Sequence, residues 1–201
     1  MIQTTSAALA HSIARRLFGQ SGAVRTEPYD DFSIINKVCD GESEAFGILV
    51  AKYENYVFTI VKWMVESDDK ALDISQEVFL RAYRGIRRFE QKADFKTWLY
   101  KIAYNTSLNH IKQKHAKYLN EVGNFEDIPY SGNDDISLRL TFDKLIKSLK
   151  PELRAVIVLH YYHDLKYEEI AEIMDSPLNT VKIRLFKAKR QLKGLWDKYA
   201  A

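Results

Sequence analysis

The chain has 201 residues, 46% of them hydrophobic and 28% charged, with a net charge of only +3. That make-up describes a soluble globular protein of one or two domains. Cys39 is the sole cysteine, which excludes an intramolecular disulfide and a cysteine metal cluster and suits a reducing cytosol. No apolar run approaches the roughly 20 residues needed to span a bilayer. The weak total charge hides local extremes. From Asn179 to Ala201 there are seven Lys or Arg against the single acid Asp197, whereas Glu121 to Asp135 holds five acids and no base. A basic surface for nucleic acid and an acidic connector are the natural readings.

Residues 1–29 read as a mobile extension, with a short helix at most between Ala7 and Phe18; its arginines follow a weak apolar run instead of preceding a strong one, so it is no signal peptide. From Asp30 the pattern turns helical. Asp31 is expected to cap a short helix ended by Asp40-Gly41. Ser43 is expected to cap a longer one whose buried stripe is Phe46, Leu49, Val50, Tyr53, Val57, Ile60, Val61 and Met64. Glu66 to Lys70 reads as a charged break. Ala71 to Phe89 is the next helix, with Ile74, Val78, Leu80, Ala82 and Ile86 apolar. Asp94 caps a fourth, running to about Tyr118. No alternating strand pattern of useful length occurs, so the expectation is all-α.

On the fourth helix Phe95, Leu99, Ile102 and Thr106 share one side, while Trp98, Lys101, Asn105 and Lys112 form a second stripe. Arg87, Arg88, Lys92 and Lys96 lie upstream. Cations neutralise phosphates, aromatic faces stack exposed bases, and an Asn amide both donates to and accepts from a base edge. Tyr100 and Tyr104 are read as ordinary core. Leu119 to Ile136, with Gly123, Pro129, Gly132 and its acids, reads as a flexible linker. Ser137 caps a helix with Leu138, Phe142, Leu145, Ile146 and Leu149 on one face, and Pro151 opens the next at its first turn, which carries Leu153, Val156, Ile157 and Leu159.

Tyr167 to Lys193 reads as helix, turn and helix. Tyr167, Ile170, Ala171 and Met174 make an apolar stripe, Asp175-Ser-Pro is a cluster of turn formers, and Asn179 is the expected cap of the second helix. In that helix Val181, Leu185, Ala188, Leu192 and Leu195 fall on one side. The opposite side carries Lys182, Ile183, Phe186, Lys187, Arg190 and Lys193. A helical hairpin with a solvated basic face satisfies this spacing; so does a helix-turn-helix whose second helix enters a major groove.

Two blocks together resemble a family. Phe95-Lys-Thr-Trp-Leu-Tyr-Lys-Ile-Ala-Tyr-Asn105, preceded by Gln76-Glu-Val-Phe-Leu-Arg-Ala-Tyr83, is similar to region 2 of bacterial extracytoplasmic-function sigma factors. Tyr167 to Lys193, preceded by Leu149-Lys-Pro-Glu-Leu-Arg154, resembles their region 4. The resemblance covers roughly Asp30 to Lys193. It implies two small helical domains, region 2 at 30–118 and region 4 at 137–201, joined by the acidic linker at 119–136. It also implies a dissociable specificity subunit of RNA polymerase with no catalytic site, cofactor or metal of its own. Its partners would be core RNA polymerase, through the beta-prime coiled coil and the beta flap, promoter DNA, and an anti-sigma factor inserted between the domains. The location implied is cytoplasmic, with no membrane insertion of the chain itself.

Residue by residue, the resemblance places Asp69, Asp73, Gln76 and Glu77 on the core-polymerase face. It gives Arg87, Arg88, Lys92, Trp98, Lys101 and Asn105 to the minus-ten element, Asn105 beside a flipped base. It gives Thr180, Lys182, Ile183, Arg184, Phe186, Lys187 and Arg190 to the minus-thirty-five element. Lys166 stands where a capping Ser is common in the family, and Asp175 where Gly is usual; Asp tolerates the left-handed conformation the turn needs. The rival from another class is a stand-alone helix-turn-helix regulator, which has no use for the Phe95 to Asn105 block. An enzyme finds little support: there is no Gly-x-Ser-x-Gly elbow or phosphate-binding glycine loop. His160, His163, Asp164 and Glu168, or His110 with His115, lack the spacing of a zinc site. Ser67 or Ser75 is a phosphorylation candidate, with an unmodified serine the plainer reading.

Overall fold

The computed structural model describes residues 30–65, 67–90, 94–122 and 144–199. The expected N-terminal extension, Lys92, most of the acidic linker and the Ser137 start of the following helix lie outside them.

Helix α1, Asp31–Cys39, starts after Asp30, not after Asp31 as expected. The Asp31 carboxylate is engaged elsewhere: it accepts from Lys52 Nζ at 2.6 Å and from the Tyr53 hydroxyl at 2.5 Å, tying α1 to the next helix. The turn after α1 holds Gly41 at φ +109°, a conformation open to glycine. A 3₁₀ turn, Ser43–Ala45, leads directly into α2, Phe46–Met64, so Ser43 makes no side-chain cap. The expected stripe is buried apart from half-buried Val50, and Trp63 joins it.

Helix α3, Asp68–Gly85, begins three residues before the expected Ala71. Ser67 caps it, its Oγ accepting from the Lys70 amide at 3.4 Å. Asp68 and Asp69 occupy the first turn, where the helix dipole favours acids. The charges that read as a break are therefore a start signal. Leu80, one of the apolar residues of this helix, is 56% exposed. It is two residues, about 200° of rotation, from buried Val78; Ala71, Ile74, Ser75, Val78 and Ala82 form the inward face instead. Helix α4, Phe95–Val122, runs past Tyr118 into the expected linker. Tyr100 and Tyr104 are core, as read, and Thr106 is buried. Helices α2, α3 and α4 pack on one another as a three-helix bundle. Each fully buried Leu, Ile or Val there contributes about 1.5–3 kcal/mol before the entropy cost of ordering the chain.

A helical turn at 144–147 buries Ile146, and Leu149 follows it into the core. Pro151 stands at the first turn of α5, Pro151–Ile157, which widens into a five-residue π turn, Val158–Tyr162. The His163 amide closes that turn on the Val158 carbonyl at 3.2 Å. Helices α6, Tyr167–Ile173, and α7, Leu178–Tyr199, follow. Lys166 supplies no side-chain cap to α6, but the Glu169 carboxylate accepts from its amide at 2.7 Å, half of a capping box. Asp175 has φ +48°, as the turn reading required, and Asp164 has φ +53°. Asn179 is not the cap of α7: the Pro177 carbonyl receives the Thr180 and Val181 amides at 2.9 and 3.2 Å, so Asn179 lies inside the first turn. Helix α7 packs on α5 and α6 through Val181, Leu185 and Ala188. The two domains touch as well, α2 meeting α5 and the π turn, and α4 meeting α6. Among the described residues there is no strand.

Candidate nucleic-acid interface

Helix α7 is positioned from within. Val181 and Ala188 are fully buried and Leu185 nearly so, which fixes the rotation of the helix and turns Lys182, Ile183, Phe186, Lys187, Arg190 and Lys193 outward. The first five line one shallow depression. Phe186 is 65% exposed and Ile183 is 53% exposed. Apolar side chains flanked by three cations on an unburied helix face suit a groove where phosphates border thymine methyl groups. Two residues expected on this surface stand apart from it. Arg184 is half-buried and donates from Nη1 to Ser176 Oγ at 3.0 Å, bracing the turn. Thr180 is half-buried in the first turn.

The second expected surface runs along α4. Trp98, Lys101 and Asn105 follow one another at helical spacing, and Asn105 is exposed. Trp98 is half-buried, its ring centroid 5.1 Å from Phe89 and 5.6 Å from Phe95. A Cβ at Gly85 would come within 3.3 Å of the Trp98 ring, so α3 approaches this indole closely and a larger residue there would press on it. Arg87 and Arg88 lie exposed in the 3₁₀ turn Ile86–Arg88 beside this cluster. Lys101 extends towards the other domain, its Nζ 3.9 Å from Asp175.

On α3, Asp69, Asp73 and Gln76 are exposed, whereas Glu77 is a bridge. It accepts from Arg81 Nε at 2.8 Å and meets His110 Nε2 at 2.7 Å, joining α3 to α4. The His110 bond first, then Arg81, hold its carboxyl below the usual carboxylate range. The sequence reading missed an apolar component here. Leu72, Leu80 and Tyr83 are 53%, 56% and 42% exposed. With Asp69, Asp73 and Gln76 they fall at i, i+3, i+4, i+7, i+11 and i+14, a single stripe. The signal was a second helical apolar period in α3, offset from the buried one.

Comparison with known proteins bears on both domains. The family model described as Sigma-70 region 2 matches residues 49–117, and that of Sigma-70, region 4, matches residues 139–192. The ECF RNA polymerase sigma-E factor of Haemophilus influenzae is 34% identical over 183 residues, covering 84% of this chain and 96% of that one. The sigma-E factor of Escherichia coli K12 is 33% identical, with coverage of 83% and 94%. The RNA polymerase sigma-H factor of Pseudomonas aeruginosa is 30% identical, with coverage of 81% and 91%. Among solved structures, the sigma factor RpoE of Bartonella quintana, in complex with the anti-sigma factor NepR, superposes with a TM-score of 0.64 at 22% identity, over 76% of this chain and 96% of that one. CnrH, in complex with the cytosolic domain of CnrY, gives 0.61 at 20% identity, over 82% and 96%.

The helical pair of domains defines a sigma-70-type specificity subunit, and the chain belongs to its extracytoplasmic-function group, of the sigma-E type. It is an alternative sigma factor acting in transcription initiation. The stand-alone regulator is thereby set aside, since region 2 is present beside the helix-turn-helix. Among the described residues no helix is long and apolar enough to cross a membrane, and no His, Cys, Asp and Glu cluster suits a metal ion.

Proposed function

We propose that this sigma factor divides its work among three faces. The α3 stripe docks on the coiled coil of the polymerase beta-prime subunit, with Asp69, Asp73 and Gln76 meeting cations and Leu72, Leu80 and Tyr83 burying apolar area at the centre. Glu77 acts there through its bridge, by fixing α3 against α4. Arg87, Arg88, Lys92, Lys101, Trp98 and Asn105 hold the non-template strand of the minus-ten element, Asn105 offering its amide to a flipped base. The outer face of α7 reads the minus-thirty-five element, and Thr180 and Arg184 set that helix in place.

The observation that carries this reading is the exposure of Phe186 and Ile183 among Lys182, Lys187 and Arg190, on a helix whose other side is buried at Val181, Leu185 and Ala188. An anti-sigma factor covering these apolar residues in the resting cell fits the same chemistry. The protein would work in the cytoplasm as a subunit without chemistry of its own. Reconstitution with core polymerase on a panel of promoters tests the proposal. Start-site-specific transcripts that depend on the added chain are expected; co-elution with core but no transcript on any promoter would count against it.

A further inference from the structure

The two DNA-binding domains hold one another by contacts that neither promoter element requires. Tyr56 and Thr59 lie at helical spacing on α2 and both face the second domain. At the end of α2, Arg154 donates from Nη1 to the Trp63 carbonyl at 3.2 Å and lies 3.5 Å from that of Met64. These are orphan carbonyls at the negative end of a helix dipole, where a guanidinium is favoured. One turn earlier the Thr59 hydroxyl meets the Tyr162 hydroxyl at 3.4 Å. Next to it, the π turn delivers His163 inward. Its ring lies 5.8 Å from Tyr56, 5.0 Å from Tyr100 and 5.0 Å from Tyr162. It is 6% exposed, and neither ring nitrogen has a hydrogen-bond partner among the described residues.

We propose that the free protein rests in a closed state, latched by Arg154 on the carboxyl end of α2 and by a neutral His163 sealed among Tyr56, Tyr100 and Tyr162, and that protonation of this imidazole opens it. The proposal rests on the assignment of the two domains to separate promoter elements. Elements named for positions about 25 base pairs apart are ~85 Å apart along B-DNA at ~3.4 Å per step. A closed body of this size spans only ~40 Å, so it cannot engage both. Lys101, a minus-ten residue, is meanwhile drawn to Asp175 of the helix-turn-helix.

The groups around the imidazole leave a proton there unbalanced. Tyr56 faces it from α2, Tyr100 and cationic Lys96 from α4, and Tyr162 from its own turn. Burial first, then Lys96, push His163 down to about 3, against about 6.5 when the domains part. The closed state therefore has its full stability above pH 6.5. It loses stability tenfold per unit as pH falls below that value towards 3.

Fluorescence transfer between labels at Arg84→Cys and Lys193→Cys, in a Cys39→Ser background, reads the state of the full chain. High transfer is expected at pH 7.5, with an open-to-closed ratio about tenfold larger at pH 5.5. His163→Phe keeps the ring shape without a titrating nitrogen and should stay closed at both values. Thr59→Arg sets a bulky cation against Tyr162 without altering the second domain and should open the protein at pH 7.5, with unchanged circular dichroism. Low transfer in the wild type at pH 7.5, or acid opening that survives His163→Phe, would overturn the latch. Core-dependent transcription by the unlabelled wild-type chain at pH 7.5 is the separate readout of sigma function. Its loss would strike that assignment, while active protein with low transfer would strike only the latch.

Discussion

At the scale of single residues, Asp31 is the clearest case of a side chain whose role depends on distant partners. Its carboxylate joins α1 to α2 through Lys52 and the Tyr53 phenol. Burial first, and then the hydrogen bond to Asp31, raise the Tyr53 pKa well above its ordinary value, so the phenol keeps its proton to donate. Asp31→Ala would leave that half-buried hydroxyl and a partly covered ammonium without their acceptor. A loss of about 1–3 kcal/mol in urea unfolding is expected, without change in the α7 surface. The left-handed residues make a second test. Asp164 and Asp175 adopt φ values of +53° and +48°, which cost an L-residue about 1 kcal/mol relative to glycine. Asp164→Gly should raise the melting temperature by a few degrees; a fall would show that the Asp164 side chain contributes an interaction larger than the strain it carries.

At the scale of elements, periodicity located each described helix, while the ends needed more. Ser67 with Asp68 and Asp69 is a helix start written in charge, and it read as a break because charge and end were equated. Asn179 is a good cap by type, but the Pro177 carbonyl already takes the first amides of α7. Leu80 is apolar like Ile74 and Val78, and its angle to Val78 turns it out. The π turn left no sequence trace, because a single widened turn alters hydrogen bonding without changing composition. It is nonetheless what carries His163 inside. The start of α6 offers a direct check: Lys166→Ser would add the missing acceptor opposite Glu169, and about 0.5–2 kcal/mol of added stability by denaturant titration is expected. No gain would mean that the Glu169 bond already satisfies the turn.

At the scale of the whole molecule, both stripes proposed to meet DNA could be read from spacing, since amphipathic helices declare their two sides. The coupling between them could not, because Arg154, His163 and Asp175 meet Trp63, Tyr100 and Lys101 only after the domains fold and dock. That coupling bears on duplex binding by the free chain. Two weak sites on one chain gain little mutual advantage unless both can engage at once, and docking of the domains prevents this. The isolated protein should therefore bind promoter duplex only weakly, through α7, and with shallow salt dependence. If Lys182, Lys187 and Arg190 each neutralise one phosphate, the slope of log K against log salt should be about −2.7. Lys187→Ala should reduce the slope by about one, and Lys187→Ala or Arg190→Ala should each cut holoenzyme transcription severalfold while leaving core binding intact. Fluorescence anisotropy over a salt series, with co-elution on core polymerase as the companion measurement, checks both. Nanomolar, sequence-specific duplex binding by the free chain, or equal loss of core binding in the variants, would mean that α7 serves a different surface.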